Sequence, residues 1–563
     1  MIFSFIFQNK KLIFIVGLIA FIIPIVLYYW LVYEMSSNIP FVDEYDAALK
    51  WIIQFDNSSF PDNFIALFQQ QNEHRIFSYR IVVLITRNLV GVINFKYLLF
   101  FGNIGMLGIL FVLFKLKPTG KHELITFVPI VLFLFVPINE ITNLGIMTMN
   151  GIFQYLLAFA SLLLLNKKNQ HSFFLAILFA VVATFSHGNG MFIFLAGFFV
   201  LFYNPKKTKR EIFIWIVIMI FFVILYFTNY NFTIGQPSKM EIFKQPITGV
   251  LFFLTFLGNF IKPFTGNYLF ISQILGLVIL LFYIYLLCIN RYKLAEIRLE
   301  NSFIVFILLS VAATVISRLG YGLEGATSPR YRLLSILFIA IVYMIFLKSY
   351  NIIPKNIGVI IIVLSVIFYL GRTFLGISSI SWNKKILAQG VLSYHVNPNK
   401  TTLYYPDTGM ASKLLSEAIE TDNYLLPSIS ELYPEIKFKY KLEKSINLGS
   451  LKIQVVDFIS DSSLLMIRGK VLKKSNFKSD QHIGIILKSS SNIFMFSAAN
   501  FYQNGFKTAL KEKYMITYSS KGFLFALDKN ATMVPSGNYK VGCCIYQGNN
   551  IIESQYLDEL VVF

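Results

Sequence analysis

Pro40-Phe41-Val42-Asp43-Glu44-Tyr45-Asp46 opens a polar loop that Asn72-Glu73-His74-Arg75 closes, with an apolar run on either side. The run before it, Leu12 to Tyr33, has the length that a bilayer-spanning helix requires. The run after it, residues 76–94, carries Arg80, Arg87 and Asn94, which with Glu73 recur every seven residues. Seven residues is close to two helical turns, so the pattern predicts a helix with one polar stripe lying on the outer membrane surface. Ionisable groups held beside a bilayer are costly unless a ligand uses them. Asp43, Glu44 and Asp46 are therefore candidate catalytic carboxylates. Asp43 also fits the N-cap of a helix starting at Glu44, with Asp46 near the third position of its first turn.

Outward from this loop the chain is strongly apolar. Hydrophobic residues make up 56% and charged residues 14% of the 563, a balance that excludes an ordinary soluble protein of this length. Further apolar runs at 95–114, 124–138, 150–166, 172–186, 190–203, 212–228, 268–290, 302–317, 331–347 and 356–376 bring the predicted spans to eleven. Counting 76–94 and 248–261 as well would make thirteen. With eleven spans and a cytoplasmic N-terminus, the basic clusters from Lys10-Lys11 to Lys348 and Lys355 all fall inside, as the positive-inside rule asks. The net charge of +20 sits largely in these clusters, where it meets anionic headgroups, and no nucleic-acid module accompanies it. Leu12–Tyr33 is expected to remain as an anchor, since no small-residue cleavage site follows. Cys288 and the adjacent pair Cys543-Cys544 have neither disulfide nor metal-ligand spacing.

The fold class read from this pattern is a polytopic α-helical membrane protein with a C-terminal extracytoplasmic all-β sandwich. Residues 1–376 form the transmembrane core with a first external loop at 34–94, 377–433 a mixed connecting segment with a helix near Met410–Glu420, and 434–563 the sandwich. Its strands are expected at Lys437–Ile446, Lys452–Phe458, Leu464–Leu472, His482–Leu487, Ile493–Ala499, Tyr514–Tyr518, Gly522–Leu527, Tyr539–Tyr546 and Leu560–Phe563.

The other outward loops also bring polar groups to one side. Asn150 and Gln154 enter a helix, and Ser186-His187-Gly188-Asn189-Gly190 joins two. Gly-Asn-Gly also suits a tight turn with no ligand. Arg318, Arg330 and Arg332 follow the ninth span, on the side where positive charge is otherwise sparse. Arginine grips phosphate through a planar fork of donors, and these three also fit headgroup snorkelling or a pair with Glu324.

The acidic motif in the first external loop, the surface helix after it, the N-in core and the external C-terminal domain together resemble the GT-C superfamily of membrane glycosyltransferases. Asp43-Glu44-Tyr45-Asp46, Asn72-Glu73-His74-Arg75, Asn150-Gly151-Ile152-Phe153-Gln154 and the Arg318-to-Tyr331 loop are similar to segments of uncharacterised bacterial members. The likeness covers residues 1–430 in architecture; Asp-Glu-Tyr-Asp replaces the simpler spaced acidic pair of many relatives, which leaves the catalytic carboxylate open.

The resemblance implies an inverting transfer of a sugar from a polyprenyl-phosphate-linked donor to an envelope glycan or lipid-linked acceptor, serving polysaccharide biosynthesis. It implies a multi-pass protein of the bacterial inner membrane, with its C-terminal domain periplasmic. Asp43 or Asp46 would be the base, and Arg318, Arg330, Arg332, Arg75 and His74 would hold the donor phosphate. Asn72, Glu73, His187, Asn189 and Gln154 would contact substrate. A divalent cation, Mg or Mn, on Asp43 and Asp46 is compatible with this chemistry and not required by it. Two other readings use the same external charges: a polymerase or ligase of lipid-linked polysaccharide, and a lipid-linked-sugar flippase or transporter. The first does not need an acidic motif after the first helix. The second is expected to place charges near the bilayer midplane, where these spans carry almost none.

Overall fold

The computed structural model describes residues 10–117, 123–232, 237–261, 268–350, 354–396, 398, 401, 403–432, 438–441, 451–460, 464–472, 481–501, 522–529, 534–547 and 550–563. The chain divides into two compact units, one of residues 1–381 with 417–425 and one of 382–416 with 426–563.

Among the described residues of the first unit, eight helices are long and apolar enough to cross a membrane, from Phe14–Met35 to Asn356–Ile377. Four more are apolar but only 10–17 residues long: Leu124–Leu134, Gln170–Ser186, Gly188–Tyr203 and Pro246–Leu257. This is the make-up of a polytopic helical membrane protein. Three of the eleven predicted spans fall on the short helices, and the set-aside run 248–261 is the fourth. The outer helices keep apolar faces bare: in Lys209–Phe227, Phe213, Ile220, Phe221 and Ile224 are exposed, as suits contact with lipid tails. Arg298–Arg318 and Arg332–Ser349 are largely enclosed.

Polar and close contacts fix the inner helices. Asn103 accepts from Tyr28 Oη at 2.6 Å and donates to the Thr142 carbonyl at 3.2 Å, so three segments meet on one buried amide. Gly102 lets helix Phe95–Leu116 approach the π-helical segment Thr148–Phe153, since a Cβ there would lie 2.0 Å from Thr148 Oγ1. Helix Lys209–Phe227 starts on a capping box, in which Thr208 Oγ1 accepts from Glu211 N at 3.2 Å and Glu211 accepts from Thr208 N at 2.8 Å. Thr208→Ala is expected to lower stability by about 0.5–2 kcal/mol, read as a fall in melting temperature, with an unchanged melt counting against the cap.

The predicted surface helix is present as Phe77–Val90, but its polar stripe is not exposed. Arg80 is buried and donates to the carbonyls of Ala66, Leu67 and Gln69 at 2.8, 3.3 and 2.6 Å. Arg87 pairs with Asp56 at 2.7 Å, and Asn94 caps the following helix. Glu73 precedes the helix altogether. Ile85, Leu89 and Val90 are instead exposed. The stripe reads as solvent-facing because periodicity reveals a face without revealing which way it turns.

The predicted span 356–376 belongs to a helix that continues from Lys355 to Val396. The connecting segment holds the expected helix, at Thr408–Glu420. In the second unit, a five-stranded and a four-stranded antiparallel sheet share one core that includes Leu465, Ile467, Ile485, Phe496, Phe523 and Val541. The last strand, Asn550–Val562, is longer than Leu560–Phe563. Ala499–Phe501 is a separate strand in the second sheet, and predicted strand Tyr514–Tyr518 lies outside the described residues.

Candidate functional site

The hairpin Gln70–Arg75 carries much of the site. Gln71 pairs with His74 across a two-residue turn, and Asn72 takes φ 49°, a left-handed conformation that asparagine tolerates better than most residues. Arg75, expected as a phosphate ligand, anchors this hairpin instead. Its guanidinium is buried and donates to the carbonyls of Tyr226 at 2.8 Å, Thr228 at 2.6 Å and Phe68. Tyr230 Oη adds a bond to the Glu73 carbonyl at 3.0 Å. The hairpin is thereby stitched to the end of helix Lys209–Phe227.

A cleft of 840 Å³ opens beside it, lined by Asp43, Asn72, Glu73, His74, His187, Asn189, Arg318 and Arg330 among the residues singled out from sequence. Asp43 Oδ1 accepts from Asn72 Nδ2 at 3.2 Å rather than from a helical N–H, so Asp43 is not acting as a cap. Burial raises its carboxyl above the ordinary carboxylate range, while Arg330 and the Asn72 bond pull it back and Asp46 adds to the rise. Arg318 is ion-paired with Glu73, and Arg330 lies 3.6 Å from Glu140. His74 and His187 stack with ring centroids 3.8 Å apart and planes at 31°. Burial first, then each other and the arginines, pushes the His74 imidazole well below its usual value; burial and Arg318 bring His187 to about 4. Both rings are uncharged at neutral pH.

Strain gathers at this cleft. Val42, Asn72 and Glu140 have φ of 38°, 49° and 70°, and respectively precede Asp43, hydrogen-bond to it and pair with Arg330. Two π-helical segments, Tyr45–Lys50 and Thr148–Phe153, follow Asp43 and carry Asn150. Such distortions persist where a site over-determines the backbone.

Five predicted site residues do not line the cleft, Arg75 among them. Asp46 faces Lys50 at 3.9 Å. Glu44 is 1% exposed and accepts from Phe41 N and Ile146 N, each at 3.0 Å, and from Tyr79 Oη at 3.4 Å, making it a strut between the loop and the 145–153 segment. Arg332 is buried and donates to the Asn259 carbonyl at 3.2 Å. Gln154 is fully buried within its helix. Asp46 lies 3.9 Å from Lys50, and among the described residues no three His, Cys, Asp or Glu side chains gather that could hold a metal ion.

Sequence reading missed part of the lining. Lys239 and the aromatics Tyr155, Phe227, Tyr230, Phe232 and Tyr331 also bound the cleft. Lys239, Tyr230 and Phe232 fall between the predicted spans 212–228 and 268–290, where no charge cluster marks them; Tyr155 and Phe227 look like ordinary span residues, and Tyr331 ends the loop already singled out for its arginines. Comparison with protein-family models, with curated proteins and with solved structures finds no match to this chain.

Proposed function

We propose that the chain is a GT-C-like glycosyltransferase that moves a sugar from a polyprenyl-phosphate-linked donor to a glycan or lipid-linked acceptor on the extracytoplasmic side of the membrane. The observation that carries this reading is one cleft in which Asp43, not ion-paired among the described residues, sits with Arg318 and Arg330 among apolar walls, each arginine facing a glutamate. Phe227, Phe232, Met147 and Leu334 suit a lipid chain, and Arg318 and Arg330 suit its phosphate. In the reaction the acceptor oxygen bonds to the anomeric carbon as the bond from that carbon to the phosphate oxygen breaks. Asp43 takes the acceptor's proton, and the charge left on the lipid phosphate is stabilised by the two guanidinium groups. Single displacement on this pattern inverts the anomeric centre. Glu73 and Glu140 hold the arginines in the absence of donor, so the phosphate exchanges for a carboxylate rather than meeting bare charge.

Purified protein in vesicles, given a polyprenyl-phosphate-linked sugar and acceptor with no ion gradient, should form glycosylated acceptor. Movement of the lipid-linked sugar across the bilayer without product would replace this reading by the flippase. In cells, reporters fused after Tyr203 or Lys293 should read cytoplasmic, and those at Asn143, Asn231 or the C-terminus external. A cytoplasmic reading at Asn143 would put the cleft on the wrong side for an extracytoplasmic donor.

A further inference from the structure

We propose that the place where His74, Tyr226 and Gly188 meet is a subsite for an uncharged glycosyl group. The proposal rests on the transferase reading and adds the class of sugar the donor carries. Tyr226 is 1% exposed, and its Oη makes no hydrogen bond within 3.5 Å among the described residues although the Arg75 backbone N–H lies near it; His74 Nδ1 likewise has no partner there. Both residues line the cleft. A Cβ on Gly188 would lie 3.2 Å from Tyr226 Oη and 3.3 Å from His74 Nδ1, so both atoms face this glycine and any side chain there would crowd them.

A buried polar group without a partner costs about 1–3 kcal/mol, a cost that persists in the empty protein and is relieved when a ligand supplies the missing bond. Sugar hydroxyls both donate and accept, which matches a phenol and a neutral imidazole. His187 stacks behind His74, and its Nδ1 accepts from Asn189 N at 3.4 Å, so the imidazole wall is held in place. Asn150 Oδ1 and Ser310 Oγ are two further unpartnered, uncharged atoms on residues of the same cleft. The cationic groups of the cleft are engaged elsewhere: Arg318 with Glu73, Arg330 with Glu140, and Lys239 over the Phe232 ring at 4.3 Å. Arg318 lies near enough to depress both histidines, which sets a phosphate site next to the niche, as a glycosyl phosphate requires. A sugar bearing its own carboxylate would bury that charge against neutral partners, at a cost well above that of a hydroxyl.

The test is binding, in lipid nanodiscs, of three probes that share one chain: octyl hexoside, octyl hexuronide and octyl phosphate. Octyl hexoside should bind at least tenfold more tightly than the hexuronide. Tyr226→Phe, which removes only the phenol oxygen, should weaken the hexoside about three- to tenfold, and Gly188→Ala should weaken it further by crowding both Tyr226 Oη and His74 Nδ1. Neither change should alter octyl phosphate binding, whereas Arg318→Ala should weaken the phosphate and spare the hexoside. Equal hexoside affinity in the parent and in both niche variants, no hexoside binding at all, or a hexuronide that binds as tightly, would overturn the subsite. If the parent binds the hexoside in a manner sensitive to Tyr226→Phe but does not bind octyl phosphate, the lipid-phosphate donor reading fails and the subsite stands.

Discussion

Asp43→Asn is expected to cut sugar transfer by about a hundred- to ten-thousand-fold per folded molecule, the usual cost of losing a general base. Asparagine keeps the size of the side chain and an oxygen to accept from Asn72, so the loop is preserved and only the proton acceptor is lost. Donor binding should survive, because the carboxylate acts on the acceptor hydroxyl. The pH profile carries the same signature. The Asp43 carboxyl is raised by burial, so the ionised base is lost as pH falls through a value above the ordinary carboxylate range. Arg330 opposes that rise, and Arg330→Gln should move the acid limb further upward as well as weaken donor binding. Asp46→Asn is the control, since Asp46 faces Lys50 outside the cleft. Near-normal turnover in Asp43→Asn, with a severe loss in Asp46→Asn, would reverse the assignment.

How much of this was legible in the sequence differs between fold and site. Long apolar runs such as Phe95–Leu116 and Tyr268–Ile289 announce themselves, because little else keeps a 22-residue stretch so nearly free of charge. The four short helices were harder. Gln170–Ser186 and Gly188–Tyr203 are separated by a single residue, His187, so hydropathy alone does not reveal where one ends or how deep each lies. The continuation to Val396 was missed because the composition turns polar after residue 376 while helical hydrogen bonding carries on. In the β region, alternation identified most strands but truncated Asn550–Val562, whose first half mixes Glu553, Ser554 and Gln555 with apolar residues.

At the site, sequence reading gathered the correct loops and misjudged single side chains within them. Charge marks a residue as unusual without revealing its direction. Arg318 and Arg75 look alike in sequence, yet one lines the cleft and the other satisfies three carbonyls. Asp43, Glu44 and Asp46 are near neighbours, but the backbone turn at Val42 and the π-helical segment from Tyr45 send them to a cleft, a buried strut and a surface lysine. Tyr226 gave no signal, since a tyrosine near the end of an apolar helix more often marks an interface than a ligand.

Glu44 is where that misjudgement has the largest measurable consequence. Burial raises its carboxyl from 4.5 to about 7, against the bonds from Ile146 N, Phe41 N and Tyr79 Oη, which favour the ionised form. A carboxyl whose folded value lies above its unfolded one is protonated in the folded chain while the unfolded chain has already released its proton. Stability therefore falls as pH rises from the unfolded value to the folded one and is level above it. For a rise of this size the fall is roughly 3 kcal/mol between about pH 4.5 and pH 7. Glu44→Gln has the shape of the protonated acid and cannot ionise, so its stability curve should lack this fall. Followed by denaturant unfolding in the same detergent, the stability difference between the parent and Glu44→Gln should change by roughly 3 kcal/mol in favour of glutamine from the lower to the upper end of that pH window, the constant cost of the acceptor lost in glutamine leaving this change unaffected. Parallel curves from pH 4.5 to pH 7.5 would mean that Glu44 is already ionised in the folded protein, held so by its hydrogen bonds, and Glu44→Gln should then cost stability at every pH by leaving one of the two backbone N–H groups without an acceptor.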